Sequence, residues 1–224
     1  MIGLQILQRQ RAVSLDVAEC FKAVPVANVS DQMFRMSAGG ARLRPMHGGG
    51  YMAGPALTVK VRPGDNLLVH KALQMAVAGD VIVVDAGGDL TNAIIGDIML
   101  GYAAQRGLGG HVIDGAVRDA HAIRSGSFPV FAAGVTHRGP YKDGPGEINV
   151  PIAIDGMVVN PGDLIIGDDD GILCVPFEHA EALLEASIRK GEAETKMVAE
   201  MANGTYDASW VDANLKRIGW VEGQ

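Results

Sequence analysis

The chain has 224 residues, 48% hydrophobic and 20% charged, which is enough to bury one sizeable core. A formal net charge of -7 argues against a broad basic face for nucleic acid. Cys20 and Cys174 stand far apart with no CxxC pair, no stretch reaches the roughly 20 apolar residues of a membrane helix, and "MIGLQILQRQRAV" lacks a secretory pattern, so a cytoplasmic protein is expected.

In chain order, "SLDVAECFKAV" reads as a helix capped by Ser14 and stopped by Pro25. "SDQMFRM" reads as a second short helix capped by Ser30, and a glycine-rich irregular segment follows. "ALTVKVRP" alternates Leu57, Val59 and Val61 with polar neighbours, the pattern of a half-buried strand. "DNLLVHKALQMAVAG" reads as a helix with Asp65 as N-cap and Gly79 past its end. Strand "DVIVVDAGG", helix "DIMLGYAAQRG", strand "GHVIDGAV", helix "DAHAIRSG" and strand "FPVFAAGV" then alternate, as in βαβ units with a parallel sheet.

The rest changes character. Asp155-Gly156 between apolar runs predicts a hairpin, and turns at Pro161-Gly162 and at 167–171 predict an antiparallel meander. A last helix spans 178–202 and a tail covers 205–224; with no repeat or linker, one domain over 1–224 is expected.

Ligands of parallel α/β sheets bind at the carboxyl ends of the strands, and two loops there carry chemistry. "DAGGDLTNAIIGD" is long and feeds a helix beginning near Asp97, whose first-turn N–H groups at Ile98 and Met99 would suit a carboxylate. Asp97 alone is equally an N-cap. The second loop is Arg118-Asp119: Asp is a hard oxygen ligand for a cation and Arg a planar fork for a carboxylate or enolate oxygen. Asp119 is equally a cap for the next helix. The run Asp168 to Asp170 reads as a solvated turn, His121 as an exposed helix residue, and His70 as a partly buried histidine rather than a ligand.

Asp97, twenty intervening residues and Arg118-Asp119 resemble the D-x20-R-D signature of the class II 4-hydroxy-4-methyl-2-oxoglutarate/4-carboxy-4-hydroxy-2-oxoadipate aldolases of the RraA-like family. "VSDQM", "DNLLVHKAL", "GDVIVVDAGGD", "GLGGHVIDGAVRD", "FPVFAAGVTHRGP" and "NPGDLIIGDDDGILCVP" are similar too, so the resemblance runs from about Ala27 to Gly204. It implies an α/β/α sandwich of the swivelling-domain type and a homotrimer or homohexamer. Asp119 would hold Mg²⁺ or Mn²⁺ partly through waters, and Arg118 would face the keto oxygen of a pyruvate unit. Gly96, Asp97, Ile98 and Met99 would form the substrate loop, with Asp97 holding a water that acts as base, and Lys142 would lie near the substrate. Glu194 of an adjacent subunit, or Glu192 beside it, would complete the metal's surroundings.

The implied substrate is a 2-oxo acid aldol, cleaved to pyruvate and a second keto acid, with oxaloacetate decarboxylation through the same enolate. The metal would act as a Lewis acid. Loops 38–54 and 137–149 would set the side-chain preference. Other members of this family are non-catalytic regulators that inhibit ribonuclease E, a rival reading. An older label in the family, a methyltransferase acting on demethylmenaquinone, finds no GxGxG-type nucleotide loop here.

Overall fold

The structure is a computed structural model that describes residues 1–36, 39 and 41–221, so parts of loop 38–54 and of the tail lie outside the described residues. The chain divides into two compact units, Met1–Ser187 and Ile188–Gln224.

The first unit begins with strand β1 (Leu4–Ile6), helices α1 (Leu15–Phe21) and α2 (Val26–Gln32), and strands β2 (Arg44–Pro45) and β3 (Met52–Val61). It continues through α3 (Leu67–Met75), β4 (Val81–Asp85), β5 (Ala93–Ile95), α4 (Asp97–Gln105), β6 (Gly110–Val117), α5 (Ala120–Ser125) and β7 (Val130–Val135). Short strands β8 (Gly146–Ile148), β9 (Ile152–Ile154), β10 (Met157–Val159), β11 (Leu164–Asp168) and β12 (Gly171–Val175) lead into α6 (Ala180–Ala202).

Strands β3, β4, β6 and β7 are parallel neighbours and form the middle of the large sheet, as the alternating pattern predicts. Antiparallel β8 and β11 flank β3, β12 pairs with β11, and β9 and β10 form the hairpin predicted at Asp155-Gly156. Both residues of that turn have positive φ, as a tight hairpin with this twist requires. The fold is therefore the mixed α/β architecture expected.

Burial explains the strand sequences. Ile82, Val84, Ile113 and Val117 face a core closed by α3, α4 and α5, while Val81, Val83 and Val112 face a second core closed by β9, β10 and β12. A third core joins α1 and α2 to the far face of β11 and β12. Strands covered on both sides lose their polar alternation. This corrects the half-buried reading of the segment at 56–63: in β3 only Lys60 is exposed.

Three local expectations shift. Ser14 does cap α1, accepting from the N–H of Val17. Helix α2, however, begins at Val26 rather than after Ser30, because Asp168 reaches across from the β11–β12 turn and accepts the Val26 N–H at 2.9 Å. The tri-aspartate turn is thus structural at its first residue. The long loop before α4 contains a strand, β5, that pairs with β6. The second unit holds the distal part of α6 and helix α7 (Ser209–Arg217), and Trp210 donates to the Tyr206 hydroxyl. Among the described residues no helix is long and apolar enough to cross a membrane.

One core residue carries a measurable pH signature. His111 on β6 is fully buried beside Phe128, and neither ring nitrogen has a hydrogen-bond partner. Burial holds its pKa down, to about 4. The unfolded chain therefore binds this proton more readily, and stability falls as pH drops through 6.5 and levels off below about 4. Chemical denaturation at pH 7 and 5 should show the wild type losing about 2 kcal/mol that His111→Leu does not lose.

Candidate active site

The carboxyl ends of β4, β6 and β7 open on one side of the sheet, and the loops leaving them are tied together. The Asn92 amide donates to Gly139 O at 2.6 Å and the Ala93 N–H to Arg138 O at 2.8 Å, joining the loop after β4 to the loop after β7. Strand β5 lies along the end of β6, and the Arg118 N–H donates to Ile95 O. This pairing sets Gly96 and the start of α4 against Arg118 and Asp119.

Asp119 has φ +60 and ψ +36, a left-handed conformation that Asp tolerates better than most residues but that still stores strain. It stands at the N-cap position of α5, yet its side chain makes no cap bond. Instead Oδ2 accepts the Asp97 N–H at 3.1 Å and lies 3.6 Å from Arg118 Nε. Gly96 makes this possible: a Cβ there would stand 2.3 Å from Asp119 Oδ2 and 3.0 Å from Arg118 Nε. Sequence reasoning placed Gly96 in the substrate loop. The structure adds why a glycine is needed there, which is space rather than φ.

The first turn of α4 differs from expectation. Gly96, not Asp97, is its N-cap. The N–H groups expected to be free are engaged: Ile98 donates to Asp97 Oδ1 at 2.7 Å and Met99 to Gly96 O. An aspartate in the first helical turn folds back on its own N-terminus when nothing more acidic is near. An incoming carboxylate would have to replace it.

Beside this turn lies a cavity of about 190 Å³ whose walls include Asn66, His70, Gly96, Met99, Arg118 and Lys142. Five of the expected residues therefore share it: Gly96, Ile98, Met99, Arg118 and Lys142. Asp97 lines a different, mostly apolar cavity between α4 and α5, with Leu100, Ile123 and Phe128. Asp97 joins the centre through its backbone N–H, which donates to Asp119. Glu194 lies in the second unit and pairs with Lys190 at 2.6 Å; Glu192 is exposed on the same helix. His121 is exposed, as expected.

Two further residues line this cavity: Asn66, which the sequence did not single out, and His70, which is half-buried as the sequence reading expected. Asn66 is buried; its amide nitrogen donates to Ile94 O at 2.8 Å, and its Oδ1 has no partner, an acceptor that a ligand donor would satisfy. The i, i+4 spacing that puts Asn66 and His70 on one helix face was readable, but its direction toward the cavity was not.

Asp65 organises this wall. It is fully buried, and it accepts from the N–H groups of Leu67, Asp143 and Gly144 at 2.9, 2.7 and 2.9 Å. It thereby starts α3 and pins the segment that carries Lys142. Burial opposes its charge, but the three N–H groups and Arg62 outweigh burial and hold its carboxyl below the usual range.

The donors suit a hard cation that keeps most of its water. Asp119 offers an oxygen, Oδ1, with no partner among the described residues, on a half-exposed side chain. Mg²⁺ needs only one or two carboxylates plus waters and substrate. Among the described residues no group of three His, Cys, Asp or Glu side chains that could hold a metal ion is assembled.

Comparison with known proteins gives a consistent result. The family described as RraA-like, Aldolase/RraA, matches residues 26–174. A Halalkalibacterium halodurans protein provisionally named 4-hydroxy-4-methyl-2-oxoglutarate aldolase is 42% identical over 79% of this chain and 84% of its own length. A solved structure titled as the RNA-processing inhibitor RraA from Thermus is 33% identical, with TM-score 0.63, over 68% of this chain and 92% of that one. An uncharacterised Pseudomonas syringae protein at 24% identity shares the fold, with TM-score 0.76 over 86% of this chain and 95% of that one.

Removing the Asp65 clamp leaves three N–H groups, that of Gly144 in a buried bond and those of Leu67 and Asp143 in part-buried ones, without their acceptor. Asp65→Ala should cost about 2–4 kcal/mol at pH 7 in urea melts. Because the folded pKa is lowered, that contribution is complete above 3.8, and the gap to wild type should shrink as pH falls below it.

Proposed function

This chain belongs to the RraA-like family, and on that premise we propose that it is a divalent-metal-dependent lyase. Its substrate would be a 4-hydroxy-2-oxo acid of the 4-hydroxy-4-methyl-2-oxoglutarate or 4-carboxy-4-hydroxy-2-oxoadipate type. Cleavage would yield pyruvate and a second keto acid, and oxaloacetate would lose CO₂ through the same enolate. The observation that carries the reading is the Asp119 carboxylate folded over Gly96 between the Asp97 N–H and Arg118, with Arg118 and Lys142 lining one small cavity.

Each group has a task that its position supports. Arg118 faces the C2 keto oxygen, where negative charge grows as the carbon–carbon bond breaks, and a fixed guanidinium there costs no reorganisation. Lys142 attracts the substrate carboxylates into the cavity. The substrate's 1-carboxylate replaces Asp97 Oδ1 at the Ile98 N–H, where the helix N-terminus favours an anion. The Asp97 carboxylate, released from that N–H, would then be free to order a water near the reacting atoms. Asp119 would hold Mg²⁺ or Mn²⁺, with Glu194 or Glu192 of a neighbouring copy in a homotrimer or homohexamer. Such a cation, when bound, supplies Lewis-acid withdrawal of charge from the 2-oxo acid.

The RraA-type structure among the relatives supports a second reading, a regulator of ribonuclease activity without catalysis. The Arg118-Asp119 pair packed against Gly96 favours the lyase over the regulator.

Pyruvate release from oxaloacetate separates the two. Turnover should require Mg²⁺ or Mn²⁺, vanish with a chelator, and fall about 100-fold or more in Asp119→Asn and in Arg118→Ala. Gly96→Ala should be similarly inactive yet melt close to wild type, because the atoms its Cβ displaces belong to the partly exposed side chains of Asp119 and Arg118 and not to backbone. Undiminished turnover with the chelator would contradict the metal role. No turnover of oxaloacetate or of either aldol, together with binding to a ribonuclease, would favour the regulator.

A further inference from the structure

We infer that His70 is the proton-transfer residue of carbon–carbon cleavage, taking the proton from the C4 hydroxyl and returning it to C3. The inference rests on the lyase reading and identifies a base within the same cavity.

The cavity offers few alternatives. Arg118 and Lys142 are cations without a free lone pair, and Asn66 is a neutral amide. The remaining wall from α4 and β5, including Ile94, Ile95, Ile98 and Met99, is apolar. Asp97 is not among the residues that line this cavity and lines the other one. Among the described residues that line this space, His70 is the one side chain able to accept a proton near neutral pH. Its ring is half-buried and makes no hydrogen bond among the described residues.

Electrostatics favour the same assignment. Burial first, and then the charge of Lys142, hold the pKa of His70 below 6.5, so the imidazole is neutral at pH 7. The charged groups facing it are Lys142 from the loop after β7 and Arg118 from the end of β6. Once protonated, His70 is an imidazolium among cations and gives the proton up readily. A base that becomes a ready acid suits a reaction that removes one proton and restores one.

The step balances without a co-reactant. The C4 O–H proton passes to the imidazole, and the oxygen's electron pair forms the C4 carbonyl. The C3–C4 bond pair becomes the C2=C3 double bond of the enolate as the C2 carbonyl pair moves onto oxygen. The imidazolium proton then goes to C3 and restores the C2 ketone, giving pyruvate. Nothing is oxidised or reduced overall. Oxaloacetate carries no C4 hydroxyl, so its decarboxylation skips the first transfer, and the proton that its enolate takes at C3 comes from solvent water.

The test compares the two substrates in His70→Gln. Aldol cleavage of 4-hydroxy-4-methyl-2-oxoglutarate should fall about 100-fold or more, and by at least about tenfold more than oxaloacetate decarboxylation, which shares the return of a proton to C3 but needs none removed from a hydroxyl. Exchange of the pyruvate methyl protons with D₂O, followed by NMR, should slow along with aldol cleavage. In wild type, kcat/KM for the aldol should fall on the acid side with a pKa below 6.5, and the decarboxylation profile should lack that limb. The wild-type profiles stand whether or not the variant folds, and an aldol profile without an acid limb overturns the inference. So does a His70→Gln enzyme that still cleaves the aldol, or one that loses both reactions equally while melting like wild type. If wild type turns over neither substrate, the lyase reading itself fails.

Discussion

Asp119 is held in a left-handed backbone with its carboxylate laid across the one position, Gly96, where any side chain would push it away. That constraint needs two strands to cooperate. β5 must lie along the end of β6 so that Gly96 passes under the Arg118-Asp119 pair, and the Arg118 N–H must find Ile95 O. The strain at Asp119 is tolerated because β6 is buried on both faces and leaves its end little freedom. The result is a carboxylate with one oxygen committed and one available, beside a guanidinium.

Around this centre the protein concentrates positive charge in little space. Arg118 and Lys142 come from different loops, and what makes them neighbours is a buried carboxylate that contacts neither. Asp65 fixes the start of α3 and the backbone on either side of Asp143, so that Asn66, His70 and Lys142 are positioned together. A 2-oxo acid carries negative charge at one end and develops more as it reacts. A cavity with cations on fixed backbone and a neutral imidazole between them suits both demands.

Much of this was legible in the sequence, and the part that was not has a common cause. The parallel strands, their helices and the Asp155-Gly156 hairpin follow from local periodicity and turn chemistry. Arg118-Asp119 stood out because charge directly after an apolar strand marks its carboxyl end. Strands β1, β2, β5 and β8 span only two or three residues each, too short for any period to show. Helix α2 starts where a residue 142 positions away caps it, which no local window contains. His70 was set aside because a histidine on an amphipathic helix looks the same whether it faces core or cavity. The N–H groups of Ile98 and Met99 were expected to be free, and the backbone and Asp97 itself already satisfy them.

The central claim is that Asp119 holds a divalent cation which a pyruvate-like enolate then shares. Electron paramagnetic resonance of Mn²⁺ tests it without relying on turnover, using oxalate as a stable, planar mimic of the enolate. The account predicts that Mn²⁺ binds the wild-type protein, that oxalate tightens this binding and perturbs the Mn²⁺ spectrum, and that Asp119→Asn abolishes both effects. Mn²⁺ binding of equal strength in Asp119→Asn, or a spectrum indifferent to oxalate, would contradict it.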